Sequence, residues 1–104
     1  MNAPEARNVV ISIRESLASL PGSHLANQAT LDSVKRYNSA LEALHQAFPD
    51  KTAAFPEPIP VHTVPLLALE NPPVQTHAAT NHDLLSRCLQ VLGLFPEAKR
   101  RLGF

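Results

Sequence analysis

The stretch that decides the fold is VKRYNSALEALHQAF, Val34 to Phe48. Its apolar residues Val34, Tyr37, Leu41, Leu44 and Phe48 recur at steps of three, four, three and four. A 3.6-residue turn brings such positions onto one side of a helix. The pattern lasts about two heptads, so it also reads as a coiled-coil-like seam. Leu25 and Leu31 carry the apolar face further back, with Ser23 or Asn27 as the expected cap, and Pro49-Asp50 ends it. A helix is therefore expected over about residues 24–48.

Working outward toward the N-terminus, Ala6, Val10, Ile13, Leu17 and Leu20 repeat the same steps, with Val9 beside them. Asn2 is placed to cap this segment, Pro4 suits a first turn, and Glu5 lies at the positive end of the helix dipole. Pro21-Gly22 stops it, giving an expected helix over 4–20. Toward the C-terminus, Thr80-Asn81-His82-Asp83 has the form of a capping box with Asp in the Glu position. Leu85, Cys88, Leu92 and Phe95 follow at helical steps, and Leu84, Leu89 and Val91 widen the face. Gly93 is expected as the residue that ends this helix, before Pro96, so its span is about 80–94.

Between these helices, residues 49–79 hold seven of the ten prolines. Pro56-Glu57-Pro58-Ile59-Pro60 is expected to be extended, because each proline restricts its own φ and its predecessor's. Val64 to Leu69 is apolar enough to dock as one helical turn, and Pro96 to Leu102 to start another. The expected fold is thus all-α: residues 1–104 as one small helical bundle, two long helices plus an N-terminal helix, joined by a long proline-rich strap. Val34, Tyr37, Leu41, Leu44, Phe48 and Cys88 are its expected core or dimer seam. So small a core favours a homodimer, formed through the second and third helices.

The composition excludes several classes of function. Nine basic and nine acidic residues cancel, so no net field draws the chain onto nucleic acid or an anionic membrane. No run approaches the roughly 18 apolar residues of a membrane span. No signal peptide is read at the N-terminus, and Cys88 as the single cysteine fits a reducing cytoplasm. The five histidines, His24, His45, His62, His77 and His82, show no metal-ligand spacing, and His77 and His82 read as surface side chains. Cys88 lies on an apolar seam with no neighbouring base, and three glycines cannot build a phosphate loop. No catalytic residue, cofactor or metal is expected. Lys35-Arg36 and Lys99-Arg100-Arg101 read as solvated charge, and direct nucleic-acid binding is not expected.

One resemblance bears on function. Leu20-Pro21 precedes a long helix running through Leu31, Asp32 and Val34 to Ala47-Phe48-Pro49. An irregular proline-containing connector follows, and a last helix ends in Leu89-Gln90-Val91-Leu92-Gly93-Leu94-Phe95-Pro96. In that order of features, over roughly residues 17–50 and 80–96, the chain resembles the TraM family of quorum-sensing antiactivators. It differs in the amphipathic helix before Leu20 and the basic tail after Pro96. The resemblance implies a cytoplasmic helical-pair protomer that dimerises as a four-helix-type bundle, sequesters a LuxR-type transcriptional regulator and blocks its dimerisation or DNA binding. On that reading Val10, Ile13, Leu17, Leu84, Leu85, Leu92 and Phe95 meet the partner, while Val34, Leu41 and Leu44 hold the bundle. Another helical adaptor, such as a secretion chaperone, an antitoxin or a phage-encoded inhibitor, is the alternative.

Overall fold

A computed structural model describes residues 1–64 and 74–95, and the chain is mostly helical. The α-helices among the described residues are α1 (Ala3–Ala18), α2 (Leu31–Ala47) and α3 (Asn81–Gly93). Short 3-10 turns occupy Gly22–His24 and Pro49–Ala54. The all-α expectation is corrected at one place in the strap: among the described residues, two strands, β1 (His62–Val64) and β2 (Val74–Thr76), pair antiparallel with His62 opposite Thr76 and Val64 opposite Val74, so backbone groups there bond across a hairpin. The helical turns expected at Val64–Leu69 and Pro96–Leu102 fall, apart from Val64, outside the described residues, as does the basic cluster at 99–101.

Local chemistry sets each helix start. Asn2 accepts the Glu5 backbone N–H at 2.9 Å, as its position before Pro4 leads one to expect. Thr80 accepts the Asp83 N–H at 3.1 Å while the Asp83 carboxylate accepts the Thr80 N–H at 3.0 Å, which completes the capping box. These two bonds hold the Asp83 carboxyl below its ordinary range. Two boundaries depart from expectation. α2 starts only at Leu31, where Thr30 accepts the Ser33 N–H at 3.2 Å. The residues before it bond across the chain instead: Ala29 N–H to Ala79 O at 3.1 Å, Asn81 N–H to Asn27 O at 2.8 Å, and His82 N–H to Leu25 O at 2.9 Å. Backbone groups committed there cannot join an i→i−4 ladder. Gly93 also does not end α3 in a left-handed turn. The helix tightens past it through Leu94 N–H to Val91 O and Phe95 N–H to Leu92 O, both 3.1 Å.

The contacts at the two ends give the directions of the helices. The starts of α2 and α3 meet at the joint just described. Just beyond their far ends, the Phe48 and Phe95 rings lie 5.2 Å apart. α2 and α3 therefore run parallel. Arg7, near the start of α1, sits 5.5 Å over the Phe95 ring, so α1 runs antiparallel to both, and it packs against both. Its Ala6, Val10, Ile13 and Leu17 are buried between Val34, Tyr37, Leu41 and Leu44 of α2 and Leu84, Cys88, Val91 and Leu92 of α3.

The strap closes the remaining side. Phe55 and Ile59 are buried in the core cluster. The Asn38 side chain donates to Ile59 O at 2.8 Å and accepts the Ile59 N–H at 2.9 Å, while Arg87 donates to Glu57 O at 3.0 Å. Residues 55–59 are thereby tied to α2 on one side and to α3 on the other. No helix among the described residues is long and apolar enough to cross a membrane.

Candidate interaction surface

The structure redistributes the residues expected to meet a partner. Val10, Ile13, Leu17, Leu84, Leu92 and Phe95 are all buried within the single chain. A side chain with almost no exposed surface offers nothing to a second protein in this conformation, so these six belong with the core. Leu85 is half-buried and packed on the rim of that core. Of the residues expected in the seam, Val34, Tyr37, Leu41, Leu44 and Cys88 are fully buried and Phe48 is half-buried. Their apolar surface is already covered by α1 and the strap.

What remains outside is a strip of α3. His82, Leu85, Ser86, Leu89 and Gly93 lie on one side of the helix, at steps that bring them together. Leu89 is 50% exposed, the most exposed large apolar side chain within a helix among the described residues. A methyl group built at Gly93 would meet nothing within 4 Å, so the strip stays open to its end. It carries no carboxylate or guanidinium. The two formal charges of α3, Asp83 and Arg87, are on the flank between the strip and the buried face, where Asp83 caps the helix and Arg87 holds the strap. In sequence, Leu89 reads as one more leucine widening a core face. Its position four residues after Leu85 was the available signal, but nothing local tells which of two adjacent leucine rows meets the core.

Burial pushes the Cys88 thiol up to about 12, so it carries no thiolate near neutral pH. The Tyr37 hydroxyl is buried with no hydrogen-bond partner. Burial raises it above its ordinary range, while the nearby Arg87 charge opposes that shift without donating to it in hydrogen-bonding geometry. No three His, Cys, Asp or Glu among the described residues lie together as a metal-binding group. His77, expected at the surface, is buried, whereas His82 is exposed. A shallow hollow of about 470 Å³ beside α2 is lined by Asn38, Glu42, His45, Gln46 and Pro58. It places one carboxylate and one imidazole at its wall, without a buried polar group aimed inward.

No protein family, curated protein or solved structure matches this chain.

Proposed function

We propose that the chain is a protein-binding inhibitor without catalytic chemistry of its own, acting in the cytoplasm by occluding a LuxR-type transcriptional regulator. The observation that carries the protein-binding part is the uncharged strip of α3 centred on Leu89. An exposed apolar side chain on a rigid helix, in a strip without formal charge, suits a helix-and-groove contact with another protein. The choice of regulator rests on the resemblance of residues 17–50 and 80–96 to the TraM family. Docking on the strip would cover surface the regulator needs to dimerise or to grip DNA. The balanced charge supports a protein partner over direct binding to a duplex.

A homodimer, in this reading, forms on the same strip, because the Val34–Leu44 seam already faces α1. Dimerisation and capture of the regulator would then compete. The alternative of a secretion chaperone, antitoxin or phage-encoded inhibitor uses the same surface for a different partner.

Leu89→Asp tests the reading cleanly, because the side chain is half outside the core and its replacement should shift stability by no more than about 0.5 kcal/mol. Titration calorimetry against a purified LuxR-type regulator should show stoichiometric binding by the wild type and at least a tenfold loss in L89D. Wild-type binding by L89D would remove the strip from the interface. No binding by either protein would retire the regulator and leave the adaptor reading.

A further inference from the structure

We propose that the groove between α2 and α3 is a peptide-recognition site, occupied in cis by residues 55–59. Its ligands are extended segments in which an aromatic and an aliphatic residue flank Pro-x-Pro. The site uses residues apart from the Leu89 strip and does not depend on the partner proposed there.

Residues 55–60, Phe-Pro-Glu-Pro-Ile-Pro, lie against the helices as a bound peptide does. Among the described residues, no backbone–backbone hydrogen bond ties 56–60 to another segment. The helices grip this stretch through side chains. Asn38 donates to the Ile59 carbonyl at 2.8 Å and accepts the Ile59 N–H at 2.9 Å, and Arg87 donates to the Glu57 carbonyl at 3.0 Å. A carboxamide that satisfies both backbone groups of one residue reads an extended main chain, whatever side chain that residue carries. Main-chain bonds of this kind hold a peptide, and pockets for selected side chains choose it.

Two side chains enter such pockets. Phe55 and Ile59 are 7% and 3% exposed, while Glu57, Pro58 and Pro60 between and beyond them are exposed. The Phe55 ring meets the His45 ring edge-on at 4.9 Å and stacks on Phe95 at 6.2 Å. The Phe55 backbone, at φ −72° and ψ 143°, has the polyproline II conformation. Pro56, Pro58 and Pro60 hold their own φ in the same range. A segment so preorganised loses little entropy on docking, which is why aromatic-lined grooves take proline-rich ligands.

The groove is also wider than its present occupant. On the α2 side the hollow of about 470 Å³ opens beside Pro58, between Asn38, Glu42, His45 and Gln46. On the α3 side another of about 210 Å³ opens beside Ile59 and Pro60, toward Asp83 and Arg87. A segment serving only as core fills its slot, as protein interiors do. This one leaves room on both flanks for longer side chains than proline. A tethered segment competes at an effective concentration on the order of millimolar, so an outside peptide gains the site by filling those hollows or when the tethered anchors are weakened.

The probe is a synthetic peptide with the sequence of residues 53–61, titrated into the isotope-labelled full chain. Phe55→Ala together with Ile59→Ala empties the two pockets. The F55A/I59A chain should bind the peptide saturably, with shifts at the Asn38 side-chain amide, and at least about tenfold more tightly than the wild type does. The same peptide carrying Ile59→Asp should not bind. No saturable binding by F55A/I59A, equal affinity of variant and wild type, or equal affinity for the I59D peptide would each overturn the proposal. If F55A/I59A is unfolded alone, recovery of its helical circular dichroism on adding the peptide supports the site, and no recovery overturns it.

Discussion

At one end of the molecule, residues 25–30 and 77–82 meet through backbone hydrogen bonds and the His77 ring. At the other, Phe48, Phe55 and Phe95 gather with Arg7 over the Phe95 ring. Both ends join segments far apart in sequence, and they do so by different physics. The polar end depends on direction and register, since each N–H must find its carbonyl, and each bond adds only about 1 kcal/mol net. The aromatic end depends on area, because rings of this size remove large apolar surfaces from water and tolerate several mutual angles. The Phe48–Phe95 pair is tilted by 59° and the Phe55–Phe95 pair by 29°, which shows that tolerance within one cluster. A joint built from direction fails when a single donor or acceptor loses its partner, whereas a joint built from area yields only when atoms are removed.

The largest expected effect is at the aromatic end. Phe95→Ala should lower unfolding stability by about 3–5 kcal/mol, because a buried ring shared by Phe48 and Phe55 leaves a cavity. Urea denaturation measures this, and a loss under about 1 kcal/mol would mean that the cluster is not a structural anchor.

Between the ends, Asn38→Ala should cost about 1–2 kcal/mol, since it strands both the N–H and the carbonyl of Ile59 in a half-buried setting. Proteolysis within 55–60 should rise in parallel, and unchanged cleavage would show that Phe55 and Ile59 hold the strap without the amide.

A smaller loss, about 1 kcal/mol, is expected for Thr80→Ala at the polar end, through the cap of α3. Its pH dependence sharpens the comparison. The Asp83 carboxyl is lowered in the folded chain by its bonds to Thr80, so its contribution is present above its ordinary value of 3.8 and fades as pH falls through the lowered one. Stability curves of wild type and T80A should therefore converge toward acid. A gap that stays constant would detach Asp83 from the effect.

The smallest change is expected at Tyr37→Phe, which deletes a buried hydroxyl that has no partner. Stability should stay within about 1 kcal/mol of wild type or rise, since no hydrogen bond is lost and a desolvated polar group is removed. A loss well beyond that, seen in thermal melts, would reveal a partner for the hydroxyl.

Much of this architecture was legible beforehand, and the reasons are local. The stripes through Val10 and Ile13, Leu41 and Leu44, and Leu84 and Cys88 read directly as helix faces, because helical period and burial are written in neighbouring residues. The caps at Asn2 and Thr80 read for the same reason. Thr30 was overlooked because Ser23 and Asn27 are equally good caps in isolation. Only the pairing of residues 25–29 with 79–82 shows why the helix waits until Leu31. Pro56 to Pro60 read as extended, but the anchoring of this stretch by Asn38 and Arg87 depends on two side chains that look like ordinary surface polars. His77 misled for a related reason. An imidazole between Thr76 and Ala78 carries no sign of burial until a second segment supplies Ala29.

The sequence by itself determined three helical segments and the apolar face of each. These follow from spacing, capping and restricted φ angles within a few residues. Only the tertiary structure decided which leucines face inward. Six residues that looked free for a partner turned out to be shared by α1, α2 and α3, while Leu89 was left outside. Periodicity ranks the faces of one helix, but it cannot say how many neighbours that helix will have. With α1 packed against both other helices, each stripe finds its cover inside the chain, and the surface that remains is whatever a third contact did not reach.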